Sequence, residues 1–158
     1  MRAAVTWAVL VVVASIFAFY FIMLEPAAVR ARLRQETKDL AETLASRITF
    51  VSDAFQSGAM LLATEVTIPE SPARYYEIHV VNESGVTKVR VVAVGKLIAS
   101  EVRVSAEAPF HSVVQVVAPP KLYSGRVIVA LCYNEDQGRF LVKIANLMGD
   151  VMTCNVTP

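Results

Sequence analysis

Residues 3–24 read AAVTWAVLVVVASIFAFYFIML, an uncharged and strongly apolar run preceded only by Met1 and Arg2. At about 1.5 Å per residue this run makes a helix roughly 33 Å long, enough to cross the hydrocarbon core of a bilayer. A cleaved secretory signal has a shorter apolar core with a small-residue cleavage site close behind it. Here the run is long, and Glu25-Pro26-Ala27 makes a poor start for a mature domain. Two layouts fit: a tethered domain outside the cytoplasm, or a subunit that leaves the membrane and packs this helix into a polymer.

The apolar pattern does not stop at Leu24. Val29, Leu33, Thr37, Leu40, Leu44, Ile48, Val51, Phe55, Ala59 and Leu62 follow in steps of four, four and three. Their period of about 3.67 residues is close to that of a straight α-helix. Arg32, Glu36, Lys38, Glu42 and Asp53 fall off the stripe. Arg32 with Glu36 and Lys38 with Glu42 are i,i+4 pairs, worth a few tenths of a kcal/mol each. Pro26 marks a place for a kink or restart, Gly58 weakens the last turns, and Pro69 ends the pattern. The expectation is one helix from near Ala4 to about Thr64, roughly 90 Å long. Such a helix cannot bury its stripe alone. Its second half can lie on the chain's own strands, or the whole can bundle with copies of itself.

Beyond Pro69 the period becomes two. Expected strands are Tyr75–Asn82, Val86–Val94, Leu97–Ala106, Ser112–Ala118, Arg126–Asn134 and Arg139–Asn146, with a short one at Val151–Asn155. Glu83-Ser84-Gly85 and Glu135-Asp136-Gln137-Gly138 have hairpin-loop chemistry, and Pro119-Pro120 and Ser124-Gly125 break strands. Alternation at Val127, Val129, Leu131 and Tyr133 gives a core face, and Ile128, Ala130 and Cys132 make the other face apolar too. The fold class expected is α+β. A helical segment, residues 1–65, precedes an antiparallel, immunoglobulin-like β-sandwich over residues 66–158.

A net charge of +1 spread along the chain excludes electrostatic capture of nucleic acid. Charged residues make up only 18% and hydrophobic ones 55%, more than the first segment explains, so the Val-rich remainder has either strands apolar on both faces or a surface that other subunits cover. Two sequons, Asn82-Glu-Ser84 and Asn155-Val-Thr157, are candidate glycosylation sites. With the even cysteine count they favour a compartment outside the cytoplasm. Arg30, Arg32 and Arg34 beyond the apolar run would by the positive-inside rule pull the other way.

Cys132 and Cys154 are too far apart for a CxxC redox or zinc motif. They either pair, closing a loop of about twenty residues worth roughly 3 kcal/mol, or stay as two buried thiols. His79 and His111 lie in or beside strands without a nearby Ser or Cys elbow, and Glu135 and Asp136 are adjacent loop acids meeting solvent. No phosphate loop, metal-ligand set or carboxylate pair is present, so neither an enzyme nor a metal or other cofactor is expected. Tyr75, Tyr76 and Phe110 are read as packing residues.

In this order, the apolar helix, its amphipathic extension, Thr67-Ile-Pro69 leading to Tyr75-Tyr-Glu-Ile78, then Ser124-Gly125-Arg-Val-Ile-Val129 and a closing hairpin resemble archaeal type IV pilins, and more distantly archaellins. Arg2-Ala3-Ala4-Val5 is similar to the site that prepilin peptidases cut ahead of the hydrophobic segment, which would place the cut between Ala3 and Ala4. The resemblance implies a membrane-held precursor, trimmed by that peptidase and extracted by an assembly ATPase and platform. It would then polymerise with copies of itself into an extracellular adhesion filament with a glycosylated sheath. Val11, Val12, Ile16, Phe19 and Phe21 would form its core. The leader is only three residues long, Ala3 replaces the usual glycine, and Ala8 stands where bacterial relatives carry glutamate. The competing expectation is a monotopic anchor whose sandwich binds a surface-layer or archaellum-motor partner.

Overall fold

A computed structural model of the protein describes residues 2–97 and 100–146; of Arg2 and Ala3 it describes the backbone only. Helix α1 (Arg2–Phe19) passes through a π-helical turn (Tyr20–Leu24) into α2 (Glu25–Gln56), and seven strands follow. These are β1 (Leu62–Ile68), β2 (Ala73–Glu83), β3 (Val86–Lys96), β4 (Glu101–Pro109), β5 (Gln115–Val117), β6 (Gly125–Asn134) and β7 (Arg139–Ala145). The arrangement is α+β, with a four-stranded sheet ordered β1-β6-β7-β5 and a three-stranded sheet ordered β2-β3-β4.

The chain divides into two compact units, Met1–Arg32 and Leu33–Pro158. The division thus falls not at residue 65 but between Arg32 and Leu33, because the second half of the helix is buried with the strands. Leu33, Thr37, Leu40, Ala41, Leu44, Ala45, Ile48, Val51 and Ser52 are its buried residues, the stripe that the helical spacing marks. In this unit the helix is fastened from end to end. Glu36 accepts a hydrogen bond from the Ser71 hydroxyl. Thr49 Oγ1 and Ser52 Oγ accept the backbone N–H groups of His111 and Val113 at 3.3 and 2.9 Å. The rings of Phe55 and Phe140 lie 5.0 Å apart.

Three expectations are corrected. The helix ends at Gln56 rather than near Thr64, and Gly58 is the reason. With φ at +93° it takes the left-handed position past the last turn. Gly58 N–H donates to the Phe55 carbonyl and Ala59 N–H to the Ala54 carbonyl, the paired bonds of a Schellman cap. Freed by that stop, residues 62–68 form β1, an unexpected strand whose first residues the expected helix included. β1 pairs antiparallel with β6, Val66 opposite Val127. Finally, the sheets are not wholly antiparallel, since β5 runs parallel to β7. The expected strand at Val151–Asn155 lies outside the described residues.

The β2–β3 hairpin turns at Ser84 and Gly85, both at positive φ, and its ladder keeps Ile78 opposite Val91 and Tyr76 opposite Ala93. Those side chains, with Val89, Val102 and Ala108, are buried. Val127 to Cys132 of β6 are buried without a break, so both faces of that strand are covered. Its hydrophobic run reflects that double burial.

Candidate functional site

The first unit presents the feature most in need of a partner. Between Val5 and Leu24 every large apolar side chain is exposed: Trp7 at 69%, Val11 at 61%, Ile16 at 62% and Phe21 at 47%, for example. The apolar residues go right round the helix, unlike the one-sided stripe of α2. A helix of this kind is stable only inside lipid or among other apolar helices. The structure places Val11, Val12, Ile16 and Phe19 on α1, and Phe21 in the π-helical turn, all exposed. Ala3 and Ala4 lie in the first turn of α1. The helix Ala4–Gln56 is long and apolar enough to cross a membrane.

Within the run the Ser15 hydroxyl is satisfied locally, donating to the Val11 carbonyl at 2.7 Å. The π-turn is explained by Pro26. A proline has no N–H for the carbonyl four residues back, and its ring collides with that carbonyl. The turn widens just before it, and Glu25 N–H donates to the Tyr20 carbonyl five residues back. The sequence marks Pro26 as a kink; the structure absorbs it as a change of helical register.

The remaining sequence candidates do not converge. Asn82 is exposed at the end of β2, ahead of the hairpin turn, while Asn155 lies outside the described residues. Cys132 is buried on β6 and disulfide-bonded; Cys154, the chain's other cysteine, lies outside the described residues. His79 is half-exposed, 4.0 Å from Glu77, and His111 sits in the loop after β4. Glu135 and Asp136 are exposed in the β6–β7 loop. Among the described residues no group of three His, Cys, Asp or Glu side chains is arranged to hold a metal ion. Tyr76 and Phe110 are buried, and the Lys121 ammonium lies 4.6 Å from the centre of the Tyr75 ring. An open groove of about 700 Å³ runs between β2 and β5, with His79 and Arg90 among its lining residues. Arg90 is already engaged elsewhere, so the groove offers no acid–base pair.

That engagement is an ionic lattice on one face of the β2-β3-β4 sheet, which the sequence reading missed. Cross-strand register brings it together: Arg90 faces Glu107 and Lys88 faces Pro109. Arg90 donates to Glu107 and to Glu83 at 2.5 and 2.8 Å, and Lys88 to Glu83 at 3.1 Å. The hydrogen bond from Arg90, reinforced by its charge and that of Lys88, holds the Glu107 carboxyl below its ordinary range. Glu83 in turn raises Lys88.

No protein-family model, curated protein or solved structure matches the chain.

Proposed function

We propose that the protein is the structural subunit of an extracellular filament of the archaeal type IV pilus kind, polymerising through its N-terminal helix and serving surface adhesion. One observation carries the reading: fifteen large apolar side chains between Val5 and Leu24 are exposed around an unbroken helix, attached in sequence to a unit that buries its own stripe. Each such side chain gains about 1.5–3 kcal/mol on full burial. A helix withdrawn from lipid recovers that energy only against equivalent helices, and every copy carries one. Repetition then gives a stable polymer without covalent links between subunits.

In this reading the precursor waits in the membrane, a prepilin peptidase cuts between Ala3 and Ala4, and an ATPase-driven platform draws subunits into the fibre. The strand-rich unit forms the outer surface, and Asn82 is the described position that can carry a glycan there.

A membrane-anchored protein gripping a surface-layer or archaellum-motor partner would use the same exposed helix without leaving lipid. Electron microscopy of surface material with intact-mass analysis separates the two. Fibres built from a chain that begins at Ala4 support the subunit. A chain that retains Met1 and is found only dispersed in membranes refutes it and favours the anchor.

A further inference from the structure

Strand β6 is buried on both faces, and α2 accounts for one of them. Successive strand residues point to opposite sides. Val127, Val129 and Leu131 look one way, on the side of Val66 in β1 and Phe140 in β7. Helix α2 lies there: Phe55 stacks on Phe140, and Leu40 shares a cavity with Val66 and Ile68. The other side carries a second apolar row, Ile128, Ala130 and Cys132, flanked in register by Ala145 and Leu141 of β7. All five are buried, and Val117 of β5 packs against Cys132 and Leu141. On this same side of β1, Ala63, Glu65 and Thr67 are exposed. The cover is therefore narrow. It protects β6 and β7, two strands about 4.8 Å apart, and stops short of the next, which is the width of one extended chain rather than of a helix or a sheet.

We propose that this face is the docking site of the chain's own C-terminal segment, residues 147–153, laid along β6 as a strap from Ala145 to Cys132. Both ends of the segment are anchored. At its start the Asn146 side chain accepts the Tyr123 N–H at 3.1 Å and donates to the Tyr123 carbonyl at 2.8 Å. At its end stands Cys154, the one other cysteine of the chain and hence the partner of disulfide-bonded Cys132. The two anchors lie at opposite ends of the apolar row, since Ala145 faces Ile128 and Leu141 faces Cys132. That row is about 13 Å long, and the eight steps from Asn146 to Cys154 reach about 27 Å when extended. The direct route passes over Ile128 and Ala130. Its chemistry matches the face: Leu147, Met148, Val151 and Met152 are apolar, and methionine fills irregular gaps well. Asp150 is the segment's only charge, and Lys143, half-buried opposite Ala130, is the charged residue in the middle of the face. The strap closes this surface within each copy, so a neighbouring subunit must dock elsewhere. It holds for a filament subunit and for a membrane anchor alike.

The test uses the full chain in detergent. Peptide mapping without reductant should join Cys132 to Cys154 within a monomer; a dimer linked through Cys132 overturns the strap. Hydroxyl-radical footprinting read by mass spectrometry then compares wild type with a chain ending at Asn146. Oxidation of Ile128 and Leu141 should rise at least about five-fold on truncation, while Val129 and Leu131, on the helix side of the same sheet, stay as protected as in wild type. Equal protection of Ile128 and Leu141 in both chains overturns the proposal. Should truncation unfold the unit and label both faces alike, the full chain with p-benzoylphenylalanine in place of Met152 decides. Photo-crosslinks from residue 152 to peptides of β6 or β7 support the strap. Crosslinks confined to any other part of the chain, or to another copy, overturn it.

Discussion

Gly95 lies directly against Leu33: a Cβ at residue 95 would sit 2.9 Å from Leu33 Cδ1 and 3.2 Å from the Pro72 carbonyl oxygen. Leu33 is fully buried at the start of the stripe, and the Pro72 oxygen is backbone, so neither neighbour yields cheaply. Gly95→Ala should lower stability by about 1–3 kcal/mol through overpacking, seen as a fall in melting temperature. Leu33→Ala opens a cavity and should cost about 2–5 kcal/mol. Combined, the two should cost less than their sum, because the small side chain at 33 vacates the space the new methyl needs. Additive losses would show that the contact does not couple the two positions.

Gly58 makes the opposite kind of demand. A Cβ there meets nothing within 4 Å, yet the backbone has φ of +93°. Gly58→Ala should therefore destabilise by about 1–2 kcal/mol from conformational strain alone, and Gly58→Asn by less. Equal melting temperatures for the alanine variant and wild type would show that the cap tolerates an ordinary residue.

These two glycines mark the boundary of what the sequence makes legible. The stripe from Leu33 to Val51 was readable because burial imposes its period on the residue types, and the hairpin at Ser84-Gly85 because its turn needs positive φ. β1 was not readable. Leu62 satisfies the helical spacing as well as the strand, and only the cap at Gly58 decides between them. The parallel β5–β7 pairing depends on contacts between segments distant in the chain, and three residues of β5 carry too little pattern to announce it. The apolar helix was legible from composition, since its large side chains between Val5 and Leu24 stay exposed and keep the meaning their residue types carry; the π-helical turn at Tyr20–Leu24 was not. The ionic lattice was hidden because strand register, not local spacing, brings Arg90 to Glu107.

Acid should loosen that lattice. The Glu107 carboxyl is held below its ordinary 4.5 by Arg90 and Lys88. A carboxyl with a lowered folded value contributes stability that is complete above about 4.5 and lost as pH falls through the folded value. Arg90 and Lys88 are raised instead and stay protonated throughout that window. Urea unfolding of wild type should weaken below pH 4.5, and Glu107→Gln should lower stability at pH 7 while flattening the acid decline. An unchanged decline in the variant would assign the acid sensitivity to other carboxylates.

The disulfide at Cys132 predicts a redox-dependent stability. Without reductant Cys132 should resist alkylation in denaturant, and reduction should expose it, read as a mass increase after labelling. Cys132→Ala removes the crosslink and should destabilise by roughly 3 kcal/mol. Alkylation of the unreduced chain would contradict the bond.

Val12 is exposed in the middle of the apolar helix at 57% and lies in the first unit, whereas the core side chains from Leu33 onward belong to the second. Val12→Asp should therefore leave the main thermal transition of the full chain unchanged. Its effect on the helix depends on what surrounds it. In a bilayer a central aspartate costs about 2.5–3.5 kcal/mol, which the other apolar residues of the run can outweigh, so the variant should still be found with membranes. In a filament the same carboxylate meets neighbouring helices on several sides, and each of those helices brings its own aspartate. The penalty then recurs at every contact along the fibre, where like charges have no counter-ion to pair with. Membrane association without fibres is the expected result, with Val12→Leu assembling as wild type does. Fibres formed by Val12→Asp in wild-type yield would mean that this helix is not the polymer's core.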